Sequence, residues 1–178
     1  MLRIGYFPNT WKIAIIISIH KPGKNKNSPS SYRQISLLPA LSKILERIML
    51  RKMKPYLKII PLHQFGFKPL HSTCHQLQRI SEIILKGFEK KEYTSTVFLD
   101  VAQAFDKVWH QGLLQKLAKI NLPTYLYNII RSFITNRSFQ IRIGTDTSKI
   151  HPIKAEIPQV SVLRPILFNV FCHDIPKL

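Results

Sequence analysis

The sequence predicts an α/β (α+β) layer fold, and three observations predict it. A β-branched run over residues 11–19 reads as a buried strand. Apolar residues recur at helical spacing after Pro39 and again after Ser72, and Phe139, Ile141 and Ile143 alternate with Gln140 and Arg142. Strands and amphipathic helices following one another along one chain imply helices layered on a sheet.

Taken in order, the first strand runs into His20, Lys21, Pro22, Gly23, Lys24, Asn25, Lys26 and Asn27, a loop dense in breakers and charge. Its lysines either reach phosphate or keep a hairpin tip solvated. Leu41, Ile44, Leu45, Ile48 and Met53 then mark an amphipathic helix ending at Pro55. A second helix starts near Ser72, carries Leu77, Ile80, Ile84 and Phe88, and runs out over residues 87–91. Both stripes read as core faces. Residues 94–100 read as a strand, and Leu113, Leu114, Leu117 and Ile120 as the inner face of a helix closed before Pro123. With no internal repeat, low-complexity segment or linker, one continuous domain is the simplest partition.

The 178 residues, 45% hydrophobic, suffice for one domain with a core. Against 9 Asp and Glu stand 27 Lys and Arg, a net charge of +18 spread along the whole chain, which predicts a polyanionic partner. Nucleic acid fits better than an anionic membrane, because the longest apolar run, residues 13–17, is far too short to enter lipid. Two cysteines far apart, Cys74 and Cys172, fit a reducing intracellular setting, and residues 1–19 carry no secretory signal. His71, Cys74 and His75 have the spacing of half a zinc site, but no second pair follows.

The most informative run is residues 97–108, which delivers Asp100 out of an apolar strand into a bend. An ionised carboxylate there is costly unless something cationic compensates it, so Asp100 is a candidate metal ligand. The competing reading is a cap for the next helix.

Several segments together resemble the reverse transcriptase of jockey-like non-LTR retrotransposons. Trp11, Lys12, Ile13 and Ala14, leading to the loop of residues 20–24, resemble a fingers motif, as do residues 31–39 and Lys43, Ile44, Leu45 and Glu46. Residues 64–68 with His71, Ser72 and Thr73 are similar to the next fingers block. Phe98, Leu99 and Asp100 with Ala104, Phe105 and Asp106 resemble the first palm motif. Residues 157–169 resemble the second.

The resemblance implies a right-hand polymerase, fingers (about residues 1–92) over a partial palm (about residues 93–178), copying an RNA template from a DNA primer with deoxynucleotides. Its chemistry would use two Mg²⁺ ions roughly 3.5–4 Å apart, held by carboxylates because hard cations prefer oxygen. Asp100 matches the first metal-binding Asp, hence the catalytic candidate. Phe105 takes the place of the bulky residue that crowds the sugar 2′ position, or else is a plain core Phe. Lys21, Lys24 and Arg33 match segments that touch triphosphate or template phosphates, and Gln159 matches the polar residue beside the nascent base pair. Asp106 reads as a cap or as the partner of a basic group.

The chain also departs from the family pattern. Val160 and Arg164 stand where glycine is usual, which removes backbone freedom and fills space a nucleotide would use. Gln34 replaces the usual proline and restores an N–H donor. The family's paired-Asp hairpin would follow the second palm motif, and the sequence reaches Leu178 before it, so the expected ligand set is incomplete. Two readings follow: a reverse transcriptase domain without activity of its own, or a non-catalytic, basic nucleic-acid-binding remnant.

Overall fold

In the computed structural model, which describes residues 1–153 and 155–175, β1 (Ile13–His20) lies between β2 (Tyr32–Leu37) and β3 (Arg137–Ile143). Residues 176–178, the end of the expected partial palm, lie outside the described residues. The β-branched run of β1 suits a pleated surface, and Ile15 faces Leu37 and Ile17 faces Ile35 across the antiparallel β1–β2 ladder. On its other side β1 runs parallel to β3, from Ile13 opposite Ser138 to Ile17 opposite Arg142. The far edge of β3 is covered by β4 (Asp146–Thr147) and β5 (His151–Ile153). One mixed sheet thus joins the first and last thirds of the chain.

The core is mainly helical. It gathers α1 (Ala40–Met53), α3 (His110–Lys119), α4 (Thr124–Ile134) and α5 (Arg164–Phe171) around fully buried Met49, Leu117, Ile129, Phe133 and Leu167. Phe7 closes it at the N-terminal end, edge-on to Phe133 at 5.0 Å. The predicted inner face of α3 is borne out, since Leu113, Leu114, Leu117 and Ile120 are all buried.

Three expectations are corrected. Residues 94–100 form no strand, and Phe98 and Leu99 are 81% and 84% exposed. A strand exists only through a pairing partner, and among the described residues each strand of the sheet pairs elsewhere.

The buried face of α1 is rotated from the predicted stripe. Leu45 and Met53 are buried, but Leu41, Ile44 and Ile48 are exposed, while Ser42, Glu46 and Met49 turn inward. On the inward face Ser42 and Glu46 are instead held by buried hydrogen bonds, Ser42 to Glu46 and Glu46 to Ser161.

The third correction concerns α2 (Thr73–Lys90), in which only Gly87 is buried. Leu77 and Phe88 stand 63% and 73% exposed, and Ile80 and Ile84 are half-buried. An amphipathic pattern states which face favours burial and cannot supply the neighbour, and the core is already closed by the other four helices. The helix itself is well terminated: Ser72 N–H donates to His75 Nδ1 at its start, and left-handed Lys91 ends it, with Glu92 N–H donating to the Gly87 carbonyl.

Candidate functional site

The two palm-like motifs meet at the first turn of α5. Residues 102–107 form successive turns, with Gln103 in the left-handed region (φ 56°) and Asp106 N–H donating to the Gln103 carbonyl. This compact path brings Phe105 and Asp106 under Arg164. Arg164 Nη2 donates to Asp106 Oδ1 at 2.8 Å, and its guanidinium carbon lies 4.5 Å from the centre of the Phe105 ring. The Phe105 ring also packs on Phe168 at 4.5 Å and edge-on to Phe67 at 5.5 Å. Behind it, Ile157 N–H donates to the Phe105 carbonyl and Glu156 N–H to the Val108 carbonyl, while His110 Nε2 donates to the Glu156 carbonyl at 2.8 Å.

Two buried polar side chains bind the fingers-like blocks to this centre. Asn169 on α5 accepts from Gln64 Nε2 at 3.2 Å and donates from Nδ2 to the Gly66 carbonyl at 2.9 Å. Glu46 on α1 accepts through Oε1 from Ser42 Oγ and through Oε2 from Ser161 Oγ and Val162 N–H, at 2.7, 2.8 and 2.8 Å. Both carboxylate oxygens are thereby satisfied, as a buried charge requires. Segments more than a hundred residues apart are thus joined, Glu46 to the Ser161 turn that follows Gln159 and residues 64–66 to Asn169 on α5.

The expected site residues divide into three places. Phe105 is half-buried in the aromatic cluster, and Gln159 is half-buried beside the Ser161 turn, its amide making no hydrogen bond among the described residues. Lys21, Lys24 and Arg33 lie at the loop end of the β1–β2 hairpin. There Lys21 Nζ donates to the Ser30 carbonyl at 2.7 Å, His20 Nε2 donates to the Lys24 carbonyl at 2.9 Å, and Arg33 sits opposite Ile19 with its side chain exposed. Asp100 stands apart, exposed in the irregular segment.

The donor set does not fit a metal ion. Among the described residues no three His, Cys, Asp or Glu side chains converge, and the carboxylate nearest to Asp100 in sequence, Asp106, is engaged by Arg164. A two-metal centre needs several oxygen ligands on each ion, more than the described residues bring together. The same holds for the His71, Cys74 and His75 group, in which His75 Nδ1 accepts in the helix cap and His71 Nδ1 donates to the Pro69 carbonyl.

Burial shapes the electrostatics around this centre. It pushes the Glu156 carboxyl above its ordinary range, helped by the negative Asp106 and opposed by Arg164 and Arg137. Glu46, Asn169 and Arg137 were not foreseen as structural hubs. A lone acid on an apolar helix face, in a chain with only 9 acids, is the one signal that pointed toward Glu46.

The reverse transcriptase (RNA-dependent DNA polymerase) family matches residues 19–178. The chain belongs to that family. The reverse transcriptase domain is 48% identical over 179 residues to the RNA-directed DNA polymerase from mobile element jockey of Drosophila melanogaster, covering 99% of this chain and 19% of the relative. It is 44% identical to the probable RNA-directed DNA polymerase from transposon BS and 43% identical to that from transposon X-element of the same species. Each of these matches covers 99% of this chain and 20% of the relative. The chain thus spans about a fifth of the length of the curated relatives it matches. The segments that resemble the family's motif blocks include those that meet around Arg164 and Glu46.

Proposed function

We propose that this reverse transcriptase domain supplies the nucleic-acid-facing and nucleotide-facing surface of an RNA-directed DNA polymerase, and that on its own it binds primer and template without extending them. The observation that carries the reading is the closure of the palm-like centre by Arg164, which stacks on Phe105 and neutralises Asp106, while Asp100 stands alone. In this reading residues 1–92 act as fingers and residues 93–178 as a partial palm, although one sheet spans both.

Lys21, Lys24 and Arg33 contact phosphates of the RNA template and DNA primer or of an incoming deoxynucleotide, supported by their place at the loop end of one hairpin. Gln159, with an unengaged amide, faces the base pair, and Phe105 lies where it would crowd a 2′ hydroxyl once Arg164 moves. Asp100 is the residue that would hold Mg²⁺ in a fuller ligand set. No helix among the described residues is long and apolar enough to cross a membrane.

A non-catalytic binding role is the second reading, favoured by 27 basic against 9 acidic residues. Fluorescence anisotropy with an RNA–DNA hybrid and a primer-extension assay with Mg²⁺ test both readings. The expected result is binding that weakens steeply with salt, is weakened by Arg33→Ala, is unchanged by Asp100→Ala, and is accompanied by no extension. Extension abolished by Asp100→Ala would overturn the claim of binding alone. Absence of binding at moderate salt would overturn both readings.

A further inference from the structure

The loop before α2 and the first turn of that helix enclose a cavity of about 530 Å³, with Phe65, Phe67 and His71 in its lining and, among the described residues, no carboxylate. Phe65 is half-buried there. The His71 ring meets it edge-on at 5.0 Å, and the Arg79 guanidinium carbon lies 5.9 Å from its centre. Arg79 Nη1 also reaches the His63 carbonyl at 3.5 Å, so a cation stands beside the rings.

Phe67 is held differently. Its backbone lies in the left-handed region (φ 57°), where a bulky side chain is rare and strained, and the residue is 58% exposed. One edge-on contact, to Phe105 at 5.5 Å, ties its ring to the aromatic cluster under Arg164. A strained backbone and an aromatic ring left in water both cost free energy, and the fold gains little packing from either.

Rings lining a cavity, with a cation beside them and no carboxylate, suit a flat π-rich ligand attached to negative charge. A nucleobase in a strand is such a ligand: its face stacks on an aromatic side chain whatever the base, and its phosphates favour Lys68 and Arg79. Bases in a duplex are already stacked on both faces, so the base must be unpaired. An aromatic side chain of a protein would fill the same space but make no use of a net charge of +18.

We propose that this cavity holds one unpaired nucleobase, stacked on Phe67, with Phe65 and His71 as the wall and Arg79 toward the neighbouring phosphate. The inference rests on the nucleic-acid-facing role proposed above. It adds a single-stranded subsite that joins the Phe105 cluster through Phe67 and is independent of the hairpin residues Lys21, Lys24 and Arg33.

The test is fluorescence anisotropy of the 178-residue chain with two labelled probes, a short oligodeoxyadenylate and an abasic strand of equal length and charge. The base-bearing strand is expected to bind more tightly. Phe67→Ala should weaken it about tenfold and leave the abasic strand unchanged, while Phe67→Trp keeps the preference. Phe88→Ala, which removes a comparably exposed ring from α2, should change neither. If Phe67→Ala loses structure, Phe67→Gly still removes the ring and relieves the left-handed strain, so it decides the matter in a folded chain.

Titration with adenosine monophosphate separates two sources of the base. Saturation that depends on Phe67 assigns the cavity to a free nucleotide as well, and its absence beside a Phe67-dependent strand assigns it to a base within a strand. Losses equal for the two strands, or no loss for either, would overturn the proposal and leave the nucleic-acid reading standing. Failure to bind either strand or the RNA–DNA hybrid would overturn both. Phe67-dependent saturation by N-acetyltryptophanamide, with no preference for the base-bearing strand, would assign the cavity to a protein side chain and overturn the proposal.

Discussion

Arg164 and Asp106, 58 residues apart, are joined at 2.8 Å, and this pair ties the start of α5 to the turn that carries Phe105. The Arg164 side chain is 15% exposed and that of Asp106 39%, so water screens one end of the bond and the stacking on Phe105 shields the other. A double-mutant cycle of Arg164→Ala and Asp106→Asn is expected to give a coupling of about 1 kcal/mol in urea unfolding. Arg164→Gly should in addition leave the Phe105 ring more accessible. A coupling near zero would mean that the pair is incidental to the packing.

The Glu46 carboxylate carries more. Three donors depend on it, two of them from the Ser161 turn. Glu46→Ala strands the Val162 N–H and two hydroxyls in a buried place, and should destabilise by about 3 kcal/mol, against about 1 kcal/mol for Ser42→Ala. Equilibrium denaturation measures both. Equal, small losses would show that water enters and satisfies the turn.

The two amphipathic helices α2 and α4 should respond oppositely to truncation. Phe133→Ala empties a site against Phe7 and should cost about 3–5 kcal/mol. Phe88→Ala and Leu77→Ala on α2 should change stability by less than about 0.5 kcal/mol, because both residues stay mostly in water in the folded state. A large loss at Phe88 would reveal a neighbour for α2.

The contrast between these helices also marks what the sequence made legible. Local patterns located β1, α1, α2, α3 and β3 well, because period and breaker residues act within one element. The order of motif blocks identified the family and directed attention to the centre where Phe105, Asp106 and Arg164 meet. Partnership was not legible. Residues 94–100 have the composition of a strand and lack a ladder, α2 has an apolar stripe and lacks a core, and α1 is turned by Glu46 toward a segment more than a hundred residues away. α4 and α5 are absent from the sequence expectations, although Leu126, Ile129, Ile130 and Phe133 carry a helical period directly after Pro123.

Glu156 provides the pH-dependent prediction. Its carboxyl titrates above the ordinary range in the folded protein because of burial first and Asp106 second, with Arg164 and Arg137 pulling the other way. In that window the folded state holds more protons than the unfolded state, so this group lowers stability as pH rises from the ordinary carboxyl range through the raised value. Glu156→Gln removes that dependence. The melting temperature of the variant should equal or fall below that of the parent in acid, and exceed it at neutral pH, with the crossover inside the window. A variant that melts lower at every pH would mean that the negative charge of Glu156, through its attraction to Arg137 and Arg164, stabilises the fold more than its burial costs.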